Sequence, residues 1–232
     1  MQYAGIIRRL KSLGNPRDVP GMARFGIISK NVLCISTPEI MRLAREIGRD
    51  HNLAGELWAS GIYEARILAC LIDDPAQLGE EQMEQWVNDF DSWALCDQCC
   101  LRLFDKSPLA YRKVAEWSRR EEEYVRRAGF VLMAVLAVHD KKADDSRFLS
   151  FFSLIKEAAG DERNYVKKAV NWALRQLGKR NLRLNQAAIE TAEAIKQINS
   201  PGARWIAADA LRELHGKSVQ ERLLKKKGKT PS

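Results

Sequence analysis

Helical periodicity runs through almost all of this chain, and the stretches that carry it are marked off by their own starting signals. Thr37-Pro38-Glu39, Ser107-Pro108 and Ser200-Pro201 each set a capping hydroxyl ahead of a proline. That pairing satisfies free amides and presets φ in the first turn of a helix. Apolar spacing predicts further helices over 52–72, 80–90, 91–104, 122–138, 146–158, 162–177 and 184–198. Strand alternation is nearly absent; the ambiguous run is 25–35 (FGIISKNVLCI), an extended loop or a short buried helix. Connections between the stretches are short, as antiparallel neighbours require. The class is all-α.

The helices are also weakly self-similar. Tyr124-Val125-Arg126-Arg127-Ala128 returns 41 residues later as Tyr165-Val166-Lys167-Lys168-Ala169. Ala173-Leu174-Arg175-Gln176-Leu177 returns 37 residues later as Ala210-Leu211-Arg212-Glu213-Leu214. Helix pairs repeating at about 40 residues predict a HEAT-like helical repeat solenoid, in which each unit buries its apolar face on the next. Residues 1–215 read as one such domain. Residues 216–232 hold six basic residues against Glu221, so +5 of the net charge of +8 belongs to that segment, read as a mobile basic tail. The +3 that remains gives only a modest bias toward nucleic acid.

Several classes are disfavoured. The longest apolar stretch, Ala128 to Val138, is too short to span a bilayer, and the first residues lack a signal peptide's h-region, so a cytoplasmic protein with no membrane partner is expected. Cys96 and Cys99 form a C-x-x-C without a second pair, and His51, His139 and His215 are scattered. No metal site is expected, and the five thiols read as small buried hydrophobes. Phosphate-cradling, zinc-hydrolase and serine-hydrolase motifs are missing.

Two constellations stand out on helical wheels. On 162–179, Val166, Ala169, Val170, Ala173, Leu174 and Leu177 form the core face. Trp172 lies opposite, among Lys168, Arg175 and Lys179. Cations for phosphates beside an aromatic face suit nucleic acid. Packing on a neighbouring repeat under lysine stems is equally open. On 91–104, Trp93 and Asp97 stand one turn apart with Cys100, Leu101 and Phe104 nearby. A carboxylate in such company is either paired or functional. Arg126 and Arg127, which open a largely apolar helix, are the candidate partners.

The chain resembles the AlkD-type DNA alkylation repair glycosylases, a family of HEAT-like repeat proteins, over about residues 27–214. The resemblance rests on Ile35-Ser36-Thr37-Pro38, Glu56-Leu57-Trp58 with Glu64-Ala65-Arg66-Ile67-Leu68-Ala69, Trp93-Ala94-Leu95-Cys96-Asp97, Arg126-Arg127-Ala128, and Lys167 through Arg175. Cys34 stands where the family pattern has a glycine, and the N-terminal helical region looks short. The resemblance implies excision of cationic alkylated purines, N3-methyladenine and N7-methylguanine, from duplex DNA by a monomer without metal or cofactor. It implies Asp97 as the catalytic carboxylate, Trp93 and Trp172 as faces toward the deoxyribose, and Arg127 as a DNA contact. With the wheel, Lys168, Arg175 and Lys179 complete the expected DNA-binding set. The alternatives are a non-catalytic HEAT-repeat protein for bent or branched DNA and a protein–protein scaffold.

Overall fold

The structure, a computed structural model, describes residues 2–24, 26–27, 29 and 31–227. Phe25, Ile28 and Lys30 of the ambiguous run, and the last five residues, lie outside that set. Among the described residues all regular structure is helical. The chain forms two compact units, 1–110 and 111–232, where the sequence predicted one repeat domain and a tail.

The first unit contains α1 (Tyr3–Leu13), α2 (Val19–Arg24), α3 (Thr37–Ile47), α4 (His51–Ala59), α5 (Tyr63–Ile72), α6 (Glu80–Asn88) and α7 (Trp93–Arg102). α1 was not among the expected helices, although Ile6 and Leu10 bury completely on one of its faces. The predicted helix over 52–72 is two helices. Asp50 caps α4 through the Leu53 amide at 3.0 Å, and Gly61 at φ +69° ends the run before α5. Only glycine takes that angle without strain, so the break is written at one residue. Trp58 and Trp86 stack at the centre, ring centroids 4.0 Å apart and 3° from parallel.

The second unit opens with α8 (Ala110–Trp117), which begins at the boundary. It continues with α9 (Glu123–His139), α10 (Asp145–Leu149), α11 (Phe151–Ala158), α12 (Asn164–Gly178), α13 (Leu182–Lys196), α14 (Pro201–Leu214) and α15 (Lys217–Lys227). α9 is buried from Arg127 to Ala137, the centre of the core. Gly129 permits this: a Cβ there would stand 2.5 Å from the Ser118 amide nitrogen after α8.

α9, α12 and α14 run parallel with a near-constant offset. The Arg127 guanidinium reaches the Tyr165 carbonyl, Asn171 reaches Asp209 and Arg175 reaches Glu213, each pair 38 residues apart. The rings of Tyr124 and Tyr165, equivalent in the predicted repeat, lie 5.7 Å apart. The helices α11 and α13 also pack against α12.

The predicted mobile tail is corrected. Residues 217–227 form α15, which buries Val219 and Leu223 and donates from Gln220 to the Leu214 carbonyl at 2.6 Å. Two apolar residues four apart, one helical turn, were enough to dock a segment whose charge suggested a solvated end.

Candidate active site and nucleic-acid interface

α7 carries the first group. Ser92 caps it by accepting from the Leu95 amide at 3.4 Å. Ala94, Leu95, Cys96, Cys99 and Cys100 then turn into the core. That leaves Trp93 and Asp97, one turn apart, on the half-buried side. Trp93 lines a pocket of about 450 Å³ with Arg17, Asp18, Gly21, Met22 and Ile27. Behind α7 the buried phenol of Tyr63 is pushed well above its ordinary pKa, first by burial and then by Glu64, Asp91 and Asp97. It is therefore a neutral group facing carboxylates. Cys99 and Cys100 are likewise raised, first by burial and then by hydrogen bonds with Cys70 and Cys96, so they pack as thiols. No group of His, Cys, Asp and Glu arranged to hold a metal occurs among the described residues.

The strand of backbone beside this pocket shows a feature that sequence reasoning only half saw. Cys34 adopts φ +60°, the left-handed region that favours glycine, the residue that the resemblance led one to expect there. The segment is held there by Glu64, which is 1% exposed. Its carboxylate accepts from the amides of Leu33 at 2.8 Å, Cys34 at 2.6 Å and Ile35 at 3.3 Å. Consecutive amides folded round an anion form a nest. The Cys34 sulfur meets the Met22 sulfur at 3.3 Å, which ties the nest to the pocket wall. Burial first, then Glu64 and Asp18, push the Cys34 thiol up, so it stays protonated. The available signal was a lone glutamate inside the apolar run of α5.

In the second unit the expected DNA-binding residues separate. Lys168 is exposed and Trp172 half-buried, one turn apart on α12, as the wheel predicted. Arg175 and Lys179 share that face, but both are paired with Glu213, and Arg175 also lies 3.4 Å from Asp209. Burial alone would raise the Glu213 carboxyl; Lys179 and Arg175 outweigh it and hold the group below its ordinary value. Their charge is thus largely answered within the protein.

Arg127 does not fit the role of a surface contact. It is 6% exposed and its Nη1 donates to the Tyr165 carbonyl at 2.6 Å, tying α9 to α12. Its neighbour Arg126 reaches Asp161 at 3.5 Å. An arginine at the start of an apolar helix can serve as a strut, and sequence spacing does not separate that from a phosphate contact.

The family model for the DNA alkylation repair enzyme matches residues 6–214. The chain belongs to that family. The match begins 21 residues before the expected start and takes in α1, so the N-terminal region is part of the family fold. A solved structure described as a new family of proteins related to the HEAT-like repeat DNA glycosylases with affinity for branched DNA structures is similar. It has a TM-score of 0.77 and 21% identity, and the alignment covers 96% of each chain. This likeness establishes the HEAT-like repeat fold. A designed armadillo repeat protein aligns at a TM-score of 0.33 and 13% identity, over 96% of this chain and 80% of its own, too distant to carry an argument. No curated protein matches. No helix among the described residues is long and apolar enough to cross a membrane.

Proposed function

We propose that the chain is a monomeric DNA N-glycosylase that releases cationic alkylated purines, such as N3-methyladenine and N7-methylguanine, from duplex DNA and leaves an abasic site. Membership of the DNA alkylation repair enzyme family supports it. The observation that carries it is the pair on α7: Trp93 and Asp97 share the half-buried side of a helix whose other face is core.

Alkylation of a ring nitrogen places positive charge on the base and makes it a good leaving group. As the bond to C1′ breaks, the base takes the bonding electrons and leaves neutral, and positive charge builds on the sugar. The Asp97 carboxylate stabilises that charge and orients a water. The water oxygen bonds to C1′, and its proton passes by way of Asp97 to solvent. Trp93, one turn before Asp97 on α7, offers a π face to the sugar cation, worth about 1–2 kcal/mol when desolvated. Lys168 meets phosphate; Arg175 and Lys179 do so only to the extent that Glu213 releases them.

The second reading, non-catalytic binding of branched DNA, draws on the similar structure described with that affinity. A scaffold predicts an exposed apolar patch, and the large apolar side chains that stand exposed among the described residues are few: Val19, Val138, Trp205 and Leu224.

The test is single-turnover base release from N7-methylguanine and N3-methyladenine duplexes by wild type and Asp97→Asn. The amide removes the charge and keeps the shape, so release should fall about 10²–10³-fold while binding persists. Release by the variant at the wild-type rate would sink the assignment.

A further inference from the structure

Of the six tryptophans, Trp58, Trp86 and Trp117 are buried and Trp93 and Trp172 are half-buried. Trp205 on α14 is 41% exposed and takes no part in the proposed excision. An indole loses favourable burial when it stays in water, so its surface position asks for a reason.

Its surroundings give one. The Lys167 ammonium, from the adjacent helix α12, stands 5.7 Å from the Trp205 ring centroid. Lys168, the next residue, is exposed and lies one turn from Trp172. Arg204 is exposed beside Trp205. The nearby Glu162 is occupied in accepting from Ser200 and the Gly202 amide at the start of α14. Asp209, one turn along α14 from the ring, is engaged by Arg175, Arg212 and Asn171. Ala208, exposed three residues beyond Trp205, adds no charge. A polyanion therefore fits on the α12 side of the ring, where Lys167 stands and Lys168 is the next residue along the helix. An aromatic face flanked by cations is the combination that binds single-stranded nucleic acid: bases stack on the ring while ammonium groups track the backbone.

We propose that Trp205 is a stacking platform for an unstacked nucleobase, with Lys167 and Lys168 holding the flanking phosphates. In continuous duplex both faces of every base are covered by their neighbours. The ring therefore gains its partner only where a branch, gap or flap leaves a base open, and it confers preference for such DNA. This inference rests on the reading that the chain binds DNA.

The experiment uses the full chain and two labelled DNAs of equal length: a three-way junction with unpaired thymines at the branch, and a continuous duplex. Wild type should bind the junction more tightly. Trp205→Ala should weaken junction binding about tenfold or more and duplex binding less than about twofold. Trp205→Phe should keep most of the junction affinity. Lys167→Gln should lower junction affinity and reduce the slope of log affinity against log salt by roughly one unit. Equal losses on both DNAs, or no loss in Trp205→Ala, overturns the proposal. Should Trp205→Ala fail to fold, Trp205→Phe decides: junction affinity within about threefold of wild type supports stacking, and a drop to duplex level overturns it.

The two readings fail separately. No binding to either DNA sinks both. Base release without junction preference sinks this one alone. Junction preference lost in Trp205→Ala, with no base release by wild type, sinks only the glycosylase.

Discussion

Cys34 holds a backbone angle that costs a residue with a Cβ about 1–2 kcal/mol. Glu64 keeps it there by accepting three consecutive amides, and a buried carboxylate with fewer partners would itself be costly. Cys34→Gly should therefore raise stability by about 1 kcal/mol, read as a higher thermal midpoint with unchanged helix content. A lower midpoint would mean that the sulfur contact with Met22 outweighs the strain. The residue was legible as a departure from a pattern, but its physical reason needed the angle. Arg127 shows the opposite failure: its spacing suggested a surface contact, and only burial showed a strut. Lys168 and Trp172 were legible because the wheel of α12 separates the core face from the rest, whereas Trp93 and Asp97 were grouped with Cys100 and Phe104, which are buried.

At the scale of elements, α12 and α14 are joined by a patch in which Glu213 answers both Arg175 and Lys179. Its carboxyl is held below the ordinary value of 4.5, so the pairing stabilises the folded chain above that value. The contribution is lost as pH falls through the lower, folded value. Glu213→Gln should flatten the loss of stability below about pH 4.5 in acid-unfolding curves. At neutral pH the same variant should bind DNA with a salt slope steeper by up to about two units, because two cations become available to phosphate. A slope unchanged from wild type would place Arg175 and Lys179 away from DNA. The α15 helix makes a separate claim. Truncation after Gly216 removes the buried Val219 and Leu223, each worth about 1.5–3 kcal/mol. The shortened chain should melt measurably lower, whereas a free tail would leave the midpoint where it was.

At the scale of the molecule, the repeated Tyr124 and Tyr165 segments made the architecture readable, since their rings meet in the fold. What stayed illegible was pairwise: which cation meets which acid depends on the 38-residue offset between helices, not on either helix alone. That offset has a further consequence within residues 111–232. α9, α12 and α14 point the same way, and α13 runs back between α12 and α14, so the three share a starting edge and a finishing edge. At the shared starting edge acids and bases are interleaved, Arg120 pairing with Glu122 and Arg163 with Asp161. Beyond the shared finishing edge stand Lys141, Lys142, Arg180 and Lys217 with Asp140, Asp144 and Asp145, while Lys179 is held by Glu213. A cleft of about 730 Å³ opens there, lined by Lys141, Lys179, Arg180 and Arg222 with Asp145. The cleft lining thus holds more bases than acids. A polyanion meeting the unit in solution is drawn toward that cleft before it makes any contact. Such steering acts on arrival, so added salt should slow association more than it hastens departure.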